Sequence, residues 1–170
     1  WDTHQTAINF GLRQKKYAKL AGSGDRIVEL GCGLSPFIAE VPSFNERYGI
    51  DFSLKTLGTA TKLYPHVKYT LADCRKTPFE NKFLDVSVAG EVIEHLRNPD
   101  ALIKEMVRIT KRRMIISTPH MEYNALEHLW EFDEEDLIKM FSPYGKFECE
   151  VINSNWFPGR SYIFAFCDLE

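Results

Sequence analysis

The strongest constraint on this chain is an alternation repeated along most of its length. Short apolar runs, rich in β-branched residues, are most of them followed by a stretch with helical spacing. The runs are RIVEL (26–30), RYGIDF (47–52), VKYTLA (67–72), LDVSVAG (84–90) and RMIIST (113–118). Runs of this length, bounded by turn residues, read as strands buried on both faces. Before the first run, Ile8, Leu12, Tyr17 and Leu20 recur through residues 3–21 as one face of an amphipathic helix. After it, a helix or irregular turn is expected over 35–41, with Pro36 suited to a first turn. Further helices are expected over 54–64, over 100–110 with Asn98 as N-cap and Pro99 in the first turn, and over 133–145 with acids at its start and Gly145 as its stop. Two last strands, FECEVI (147–152) and SYIFAFC (161–167), have no helix between them, only a turn containing Pro158 and Gly159.

Strand–helix alternation over five units demands a parallel sheet covered by helices on both faces, because each parallel crossover must return over the sheet. The last two strands pair as an antiparallel hairpin at one edge. The expected fold is therefore α/β: a Rossmann-like, doubly wound, seven-stranded, mostly parallel sheet with a C-terminal antiparallel hairpin. With 170 residues and no internal repeat or linker, the chain makes one domain. In such sheets ligands bind outside the carboxyl ends of the strands, at the switch point of strand order.

The residues at those ends are acidic. The first strand carries Glu29 and stops at Gly31 and Gly33, which permit a tight turn and close approach of a ligand to main-chain amides. The second ends at Asp51, about twenty residues past Gly31, where a carboxylate suits the vicinal hydroxyls of a ribose. Capping of the following helix is the competing role for Asp51. The third ends at Asp73, within reach of an adenine amino group, and the fourth runs into Gly90 and Glu91. Several carboxylates aimed at one crevice oppose a polyphosphate. The nicotinamide fingerprint G-x-G-x-x-G fails because Pro36 stands where its third glycine belongs, and no G-x-x-x-x-G-K-[ST] loop is present. A nucleoside with a cationic amine and no phosphate fits the acids, and S-adenosylmethionine has that chemistry.

VELGCGLS, YGIDFS, LADC and LDVSVAGEVIEHLRNP resemble, in order and spacing, the successive motifs of class I S-adenosylmethionine-dependent methyltransferases over residues 26 to about 120. The one departure is Ser35, where the family commonly has a third glycine. The resemblance implies S-adenosylmethionine as cofactor. It implies that Glu29 supports the methionine end through the glycine loop of Gly31 and Gly33, and that Asp51, followed by Phe52, holds the ribose. Asp73 with Cys74 then reads adenine, and Gly90 with Glu91 lies near the methionine moiety. It divides the domain into an N-terminal helix region (1–24), a cofactor-binding core (25–120) and a substrate-side loop with the closing hairpin (121–170).

The acceptor wall is expected from TPHMEYNALEHLWEF, which follows the fifth strand: Pro119, His120, Tyr123, His128 and Trp130. A hydroxyl acceptor profits from a base with a pKa near neutrality, which makes His128 the first candidate and His120 the second, each with a loop-holding role as the alternative. EVIEHL and EHLWEFDEEDL resemble the ubiquinone-biosynthesis-like methyltransferases, implying methylation of a small molecule or sugar at oxygen or nitrogen. A second resemblance is to small-RNA 3′-end 2′-O-methyltransferases. There Glu91, Glu94, His95 and His128 match a set that binds a divalent metal, and STPHMEYN matches except that His120 replaces an asparagine. Against it stand the net charge of -3, which gives no general attraction to nucleic acid, and a short segment between EYN and His128. On the first reading no metal is expected. A cofactor-binding module without transferase activity is the reading from another class.

Hydrophobic residues at 44% and charged residues at 26% suit a soluble globular domain, and no apolar run approaches membrane-spanning length, so no membrane partner is expected. The four cysteines (Cys32, Cys74, Cys149, Cys167) form no C-x-x-C pair, and they read as reduced, buried thiols of a cytoplasmic protein. The basic run at 111–113 is expected as a solvated face at the end of the sheet opposite the crevice, and RQKK (13–16) as an exposed stretch of the first helix.

Overall fold

The computed structural model describes residues 14–34, 36–41, 43–120, 128–153 and 161–169. Residues 14–21 are helical (α1). They are followed by β1 (Gly24–Leu30), a 3-10 turn over Phe37–Glu40, β2 (Phe44–Asp51), α2 (Leu54–Leu63), β3 (Lys68–Leu71) and β4 (Leu84–Gly90). A second 3-10 turn over Ile93–His95 leads to α3 (Pro99–Ile109), β5 (Thr110–Pro119), α4 (Glu134–Phe141), a third turn over Ser142–Tyr144, β6 (Gly145–Asn153) and β7 (Ser161–Leu169).

The seven strands form one sheet in the order β3-β2-β1-β4-β5-β7-β6. The first five run parallel, and β7 lies antiparallel between β5 and β6. The order reverses between β1 and β4, so the crevice of a doubly wound sheet belongs above their carboxyl ends. Period-two alternation divides the core between two faces. Val28 and Leu30 pack with α3 and α4 residues such as Leu102, Met106 and Leu137. Ile27 packs with Tyr17 and Ala21 of α1 and with Phe37 and Ile38 of the first 3-10 turn. Glu29, in phase with Ile27, therefore faces the α1 side.

Caps set the helix starts. The Ser53 hydroxyl accepts from Thr56 N, Asn98 Oδ1 accepts from Ala101 N, and Asp133 makes a reciprocal capping box with Asp136. In α3, Leu102, Ile103, Met106 and Ile109 are buried at i, i+1, i+4 and i+7 spacing, one apolar stripe against the sheet.

Three expectations change. The helix over 133–145 stops as an α-helix at Phe141, and Gly145 opens β6 rather than ending the helix. The fifth strand begins at Thr110, so the basic run lies within it; Lys111 and Arg112 are exposed as expected, but all three side chains are partnered. Lys111 pairs with Asp85, Arg112 donates to the carbonyls of Ala21 and Ser23, and Arg113 grips Asp168 at 2.5 and 2.7 Å. Lys16 pairs with Glu150, joining α1 to β6. The expected helix over residues 3–13, Tyr123 and the turn at Pro158–Gly159 lie outside the described residues. All four cysteines are free thiols, but only Cys32 and Cys167 are buried, while Cys74 and Cys149 are half-buried. Among the described residues no helix is long and apolar enough to cross a membrane.

Candidate functional site

A crevice of about 660 Å³ opens above the carboxyl ends of β1 to β4, within the range of a small-ligand pocket. Its lining follows the order of the sheet. Asp73, Cys74 and Arg75 stand after β3, Asp51 and Phe52 at the tip of β2, Gly31 after β1, and Glu91, Val92, His95 and Leu96 after β4.

Gly31 adopts φ +73, and a Cβ there would meet Val92 Cγ2 at 2.5 Å, so the turn over the β1 tip has no room for a side chain. The expectation that the amides of this loop face a ligand needs correction. Gly31 N and Cys32 N both donate to Ile50 O at 2.8 and 2.9 Å, and Gly33 N donates to Asp51 Oδ2 at 3.0 Å. The loop is thereby folded onto β2. Ser53 N donates to Asp51 Oδ1 at 2.9 Å. Two amides thus orient the Asp51 carboxylate, which is 8% exposed, and each oxygen keeps a second lone pair for a ligand hydroxyl. The N-cap of α2 is Ser53, so the expected capping role does not fall to Asp51, which instead braces the amide of the cap residue.

Glu29 is absent from the crevice lining. It lies beneath the loop, where Ile38 N donates to its Oε2 at 3.3 Å and anchors the first 3-10 turn. Burial pushes its carboxyl up to about 8, with the amides of Ile38 and Phe37 pulling the other way. At the opposite rim, Asp73 is gripped by its own neighbour: Arg75 Nε and Nη2 hold its two oxygens at 2.9 and 2.7 Å. That guanidinium keeps the Asp73 carboxyl below the usual carboxylate range. Burial pushes the Cys74 thiol up to about 11, so it is protonated at neutral pH. Phe52 stands 85% exposed on the crevice wall, an apolar surface open to a planar ligand.

The β4 end is the most constrained. A Cβ on Gly90 would meet the Tyr17 hydroxyl at 2.2 Å. Glu91 takes φ +56, a left-handed conformation that an L-residue with a side chain rarely adopts. Its amide donates to Ser117 O at 3.0 Å, and its carboxylate accepts from Ser117 Oγ at 2.6 Å. Neither Tyr17 nor Ser117 carries a local sequence signal. They sit 100 residues apart and meet only through the topology.

The two histidines expected to act as bases part company. His120 Nε2 lies 3.1 Å from Glu134 Oε2 and its Nδ1 lies 3.0 Å from Ser161 Oγ, so it ties β5 to α4 and β7. It is not among the lining residues. His128 also stands outside the lining, packed edge-on against His95 with ring centroids 4.9 Å apart, and His95 does line the crevice. The strap behind is fixed where Leu129 N donates to Glu94 O and Trp130 Nε1 donates to Leu96 O. Glu94 is buried, with Thr118 Oγ1 donating to it at 3.3 Å. Glu94, His95 and His128 each bring one potential ligand atom within 4.8 Å of the others.

A family model described as a methyltransferase domain matches residues 28–116. An uncharacterized methyltransferase of Schizosaccharomyces pombe is 26% identical over 125 residues, 65% of this chain and 43% of that protein. Sterol 4-C-methyltransferase strm-1 of Caenorhabditis elegans is 24% identical over 91 residues, 49% of this chain and 27% of that protein. The chain thus spans less than half the length of either relative. Among solved structures, magnesium protoporphyrin IX methyltransferase from Synechocystis PCC 6803, with bound S-adenosylmethionine, superposes with a TM-score of 0.76 at 15% identity, covering 96% of this chain and 82% of that one. At that identity the likeness speaks for the fold.

Proposed function

This chain belongs to the methyltransferase-domain family, the class I S-adenosylmethionine-dependent methyltransferases, and from that premise we propose that it transfers a methyl group to a small-molecule or sugar acceptor at oxygen or nitrogen. The observation that carries the reading is Asp51. A buried carboxylate, aligned by two main-chain amides, stands in the middle of a crevice whose glycine-loop amides are already engaged and so are not presented to a phosphate.

In this reading Asp51 holds the ribose hydroxyls. Phe52 and the Asp73–Arg75 rim flank the base, and Glu91 lies toward the methionine end. S-adenosylmethionine supplies an electrophilic methyl on a positively charged sulfur. The domain's own part is placement of the nucleophile in line with that methyl and removal of water from the path. His95 at the wall, backed by His128, takes the proton from a hydroxyl or amine acceptor. His120 keeps its place as a strut between β5, α4 and β7. Isothermal titration tests the cofactor assignment: both S-adenosylmethionine and S-adenosylhomocysteine bind, and NAD and ATP bind much more weakly. NAD binding of equal strength overturns it. Binding with no transfer to any of a panel of phenols, sugar nucleotides and RNA identifies a cofactor-binding module instead.

The grouping of Glu94, His95 and His128 favours one second reading, metal-dependent methylation of the 3′-terminal ribose of an RNA. One buried carboxylate and two imidazoles form a donor set that suits a divalent transition metal. In that reading Glu94, His95 and His128 would hold the metal, which would supply a Lewis acid for vicinal hydroxyls, and His95 would be a ligand rather than a base. Chelator abolishes transfer to RNA on this reading and manganese restores it. Full activity in chelator ends it.

A further inference from the structure

Three side chains from three elements form a continuous hydrogen-bonded line into the crevice. Tyr17 on α1 lies 2.5 Å from Ser117 Oγ on β5, and Ser117 Oγ lies 2.6 Å from Glu91 Oε1 at the end of β4. The direction of donation follows from proton count. An ionised carboxylate only accepts, so the single Ser117 proton goes to Glu91 and the Tyr17 hydroxyl donates to Ser117. The line is rigid at its root. Tyr17 is 6% exposed and Ser117 fully buried, and the Tyr17 ring lies 4.8 Å from Phe37 and 5.2 Å from Phe164. Gly90 carries no side chain where one would strike the Tyr17 hydroxyl, and Glu91 is held left-handed. A strained backbone that persists at a ligand crevice is the kind of place where function accounts for the strain.

The order of the crevice says what Glu91 faces. With the ribose on Asp51 and the base toward Asp73, the group on the ribose carbon away from the base extends past Gly31 toward β4. For S-adenosylmethionine that group begins with the sulfonium. We propose that Tyr17 and Ser117 are positioning residues that aim the Glu91 carboxylate at the sulfonium. Glu91 is then the residue by which the domain favours the cationic methyl donor over its neutral thioether product. The inference rests on the cofactor reading above. A carboxylate beside a positive sulfur attracts the donor and not the product, and a donated hydrogen bond stabilises its charged form. Once the methyl leaves, the C–S bonding pair stays on sulfur, the positive charge is gone, and the attraction to the product goes with it.

The test is equilibrium titration of S-adenosylmethionine, S-adenosylhomocysteine and the amine analogue sinefungin, which needs no acceptor. Glu91→Gln, nearly isosteric, weakens S-adenosylmethionine and sinefungin by about tenfold and leaves S-adenosylhomocysteine within about twofold. Tyr17→Phe, which keeps the ring and its packing, shifts the same ratio in the same direction by about threefold, and adds nothing in the Glu91→Gln background. Ser117→Ala behaves like Tyr17→Phe. A Glu91→Gln protein that loses all three ligands equally, or keeps the wild-type ratio, overturns the proposal. So does a Tyr17→Phe effect that persists undiminished in the Glu91→Gln background. A wild-type protein that binds none of the three ligands overturns the cofactor reading instead.

Discussion

Glu105 and Glu29 are buried to a similar degree, 6% and 9% exposed, yet the fold treats them in opposite ways. Glu105, on α3, receives Thr77 N and Thr77 Oγ1 at 2.6 Å each and Arg108 Nη2 and Nε at 2.7 and 2.8 Å. Burial alone raises its pKa, but Arg108 and Thr77 outweigh burial and hold the carboxyl below its ordinary range. Arg108 also reaches the carbonyl of Phe79 and Asn81 Oδ1, so the knot fastens the long β3–β4 connection to α3. Glu29, on β1 under the glycine loop, receives main-chain amides and no cation among the described residues, and its pKa rises to about 8. A buried carboxylate surrounded by donors and a guanidinium is a fastening. One left partly compensated beside a crevice is the more plastic group, and perturbed carboxylates gather at functional sites for that reason.

The comparison breaks most easily at Glu105. Glu105→Ala leaves Arg108 and the Thr77 amide without their acceptor, and costs about 2–3 kcal/mol of stability at neutral pH, read from urea denaturation. A loss below about 0.5 kcal/mol means solvent satisfies those donors and the knot fastens nothing. Asp51 stands between the two glutamates, with two amide donors and a place in the crevice. Asp51→Ala weakens S-adenosylmethionine by about 1–3 kcal/mol, measured by titration, because the ribose loses its acceptor and the Gly33 amide loses its anchor. An unchanged dissociation constant removes Asp51 from the site.

The pH responses of the two glutamates have opposite signs. The Glu29 pKa is raised on folding from an ordinary 4.5 to about 8, so between those values the folded state keeps a proton that the unfolded state has lost. Stability from this group is whole below the unfolded pKa and falls as pH rises through about 8. Glu105, depressed on folding, contributes stability above its unfolded pKa and loses it as pH falls through the folded value. Glu29→Gln therefore raises the melting temperature at pH 8.5 by an amount worth on the order of 1 kcal/mol and leaves it nearly unchanged at pH 5. Equal shifts at both pH values show that the substitution acts through packing alone.

These responses mark what the sequence carries and what it does not. The alternating runs announce five parallel strands and a closing hairpin because period and turn residues are local properties. The acids at 51, 73 and 91 reach one crevice because parallel strands bring their carboxyl ends together whatever the side-chain details. The engagement of the Gly31–Gly33 amides, by contrast, depends on the register of β1 against β2, which no local pattern encodes. The same holds for the commitment of His120 to Glu134 and the fastening of Arg112 and Arg113, each of which joins residues distant in sequence. Each is a choice of rotamer and partner made after the chain has folded. Tyr17 is the clearest case: as a helix residue with apolar spacing it reads as core, and its hydroxyl acquires a role only when β4 and β5 arrive beneath it.

The smallest expected effect sets the two ends of β4 against each other. Among the described residues with side chains, only Lys82 and Glu91 have positive φ, at 54° and 56°, and they flank this one strand. Lys82 is exposed in the turn before β4, where its amide donates to Arg108 O, away from the crevice. Its left-handed backbone serves the turn onto α3, so Lys82→Gly relieves the conformation and raises stability by up to about 1 kcal/mol, the gain tempered by the greater freedom of glycine in the unfolded chain and by loss of the exposed bond from its Nζ to Val107 O. Cofactor affinity stays unchanged. Glu91→Gly offers the same backbone relief, but it also removes the acceptor of the Ser117 hydroxyl, so its net effect on stability is smaller than that of Lys82→Gly. It also narrows the preference for S-adenosylmethionine over S-adenosylhomocysteine. Thermal melts of the two glycine variants, run beside titrations of both ligands, separate the contributions. If Glu91→Gly is stabilised as much as Lys82→Gly and keeps the wild-type ligand ratio, the bend at Glu91 is as purely architectural as the one at Lys82.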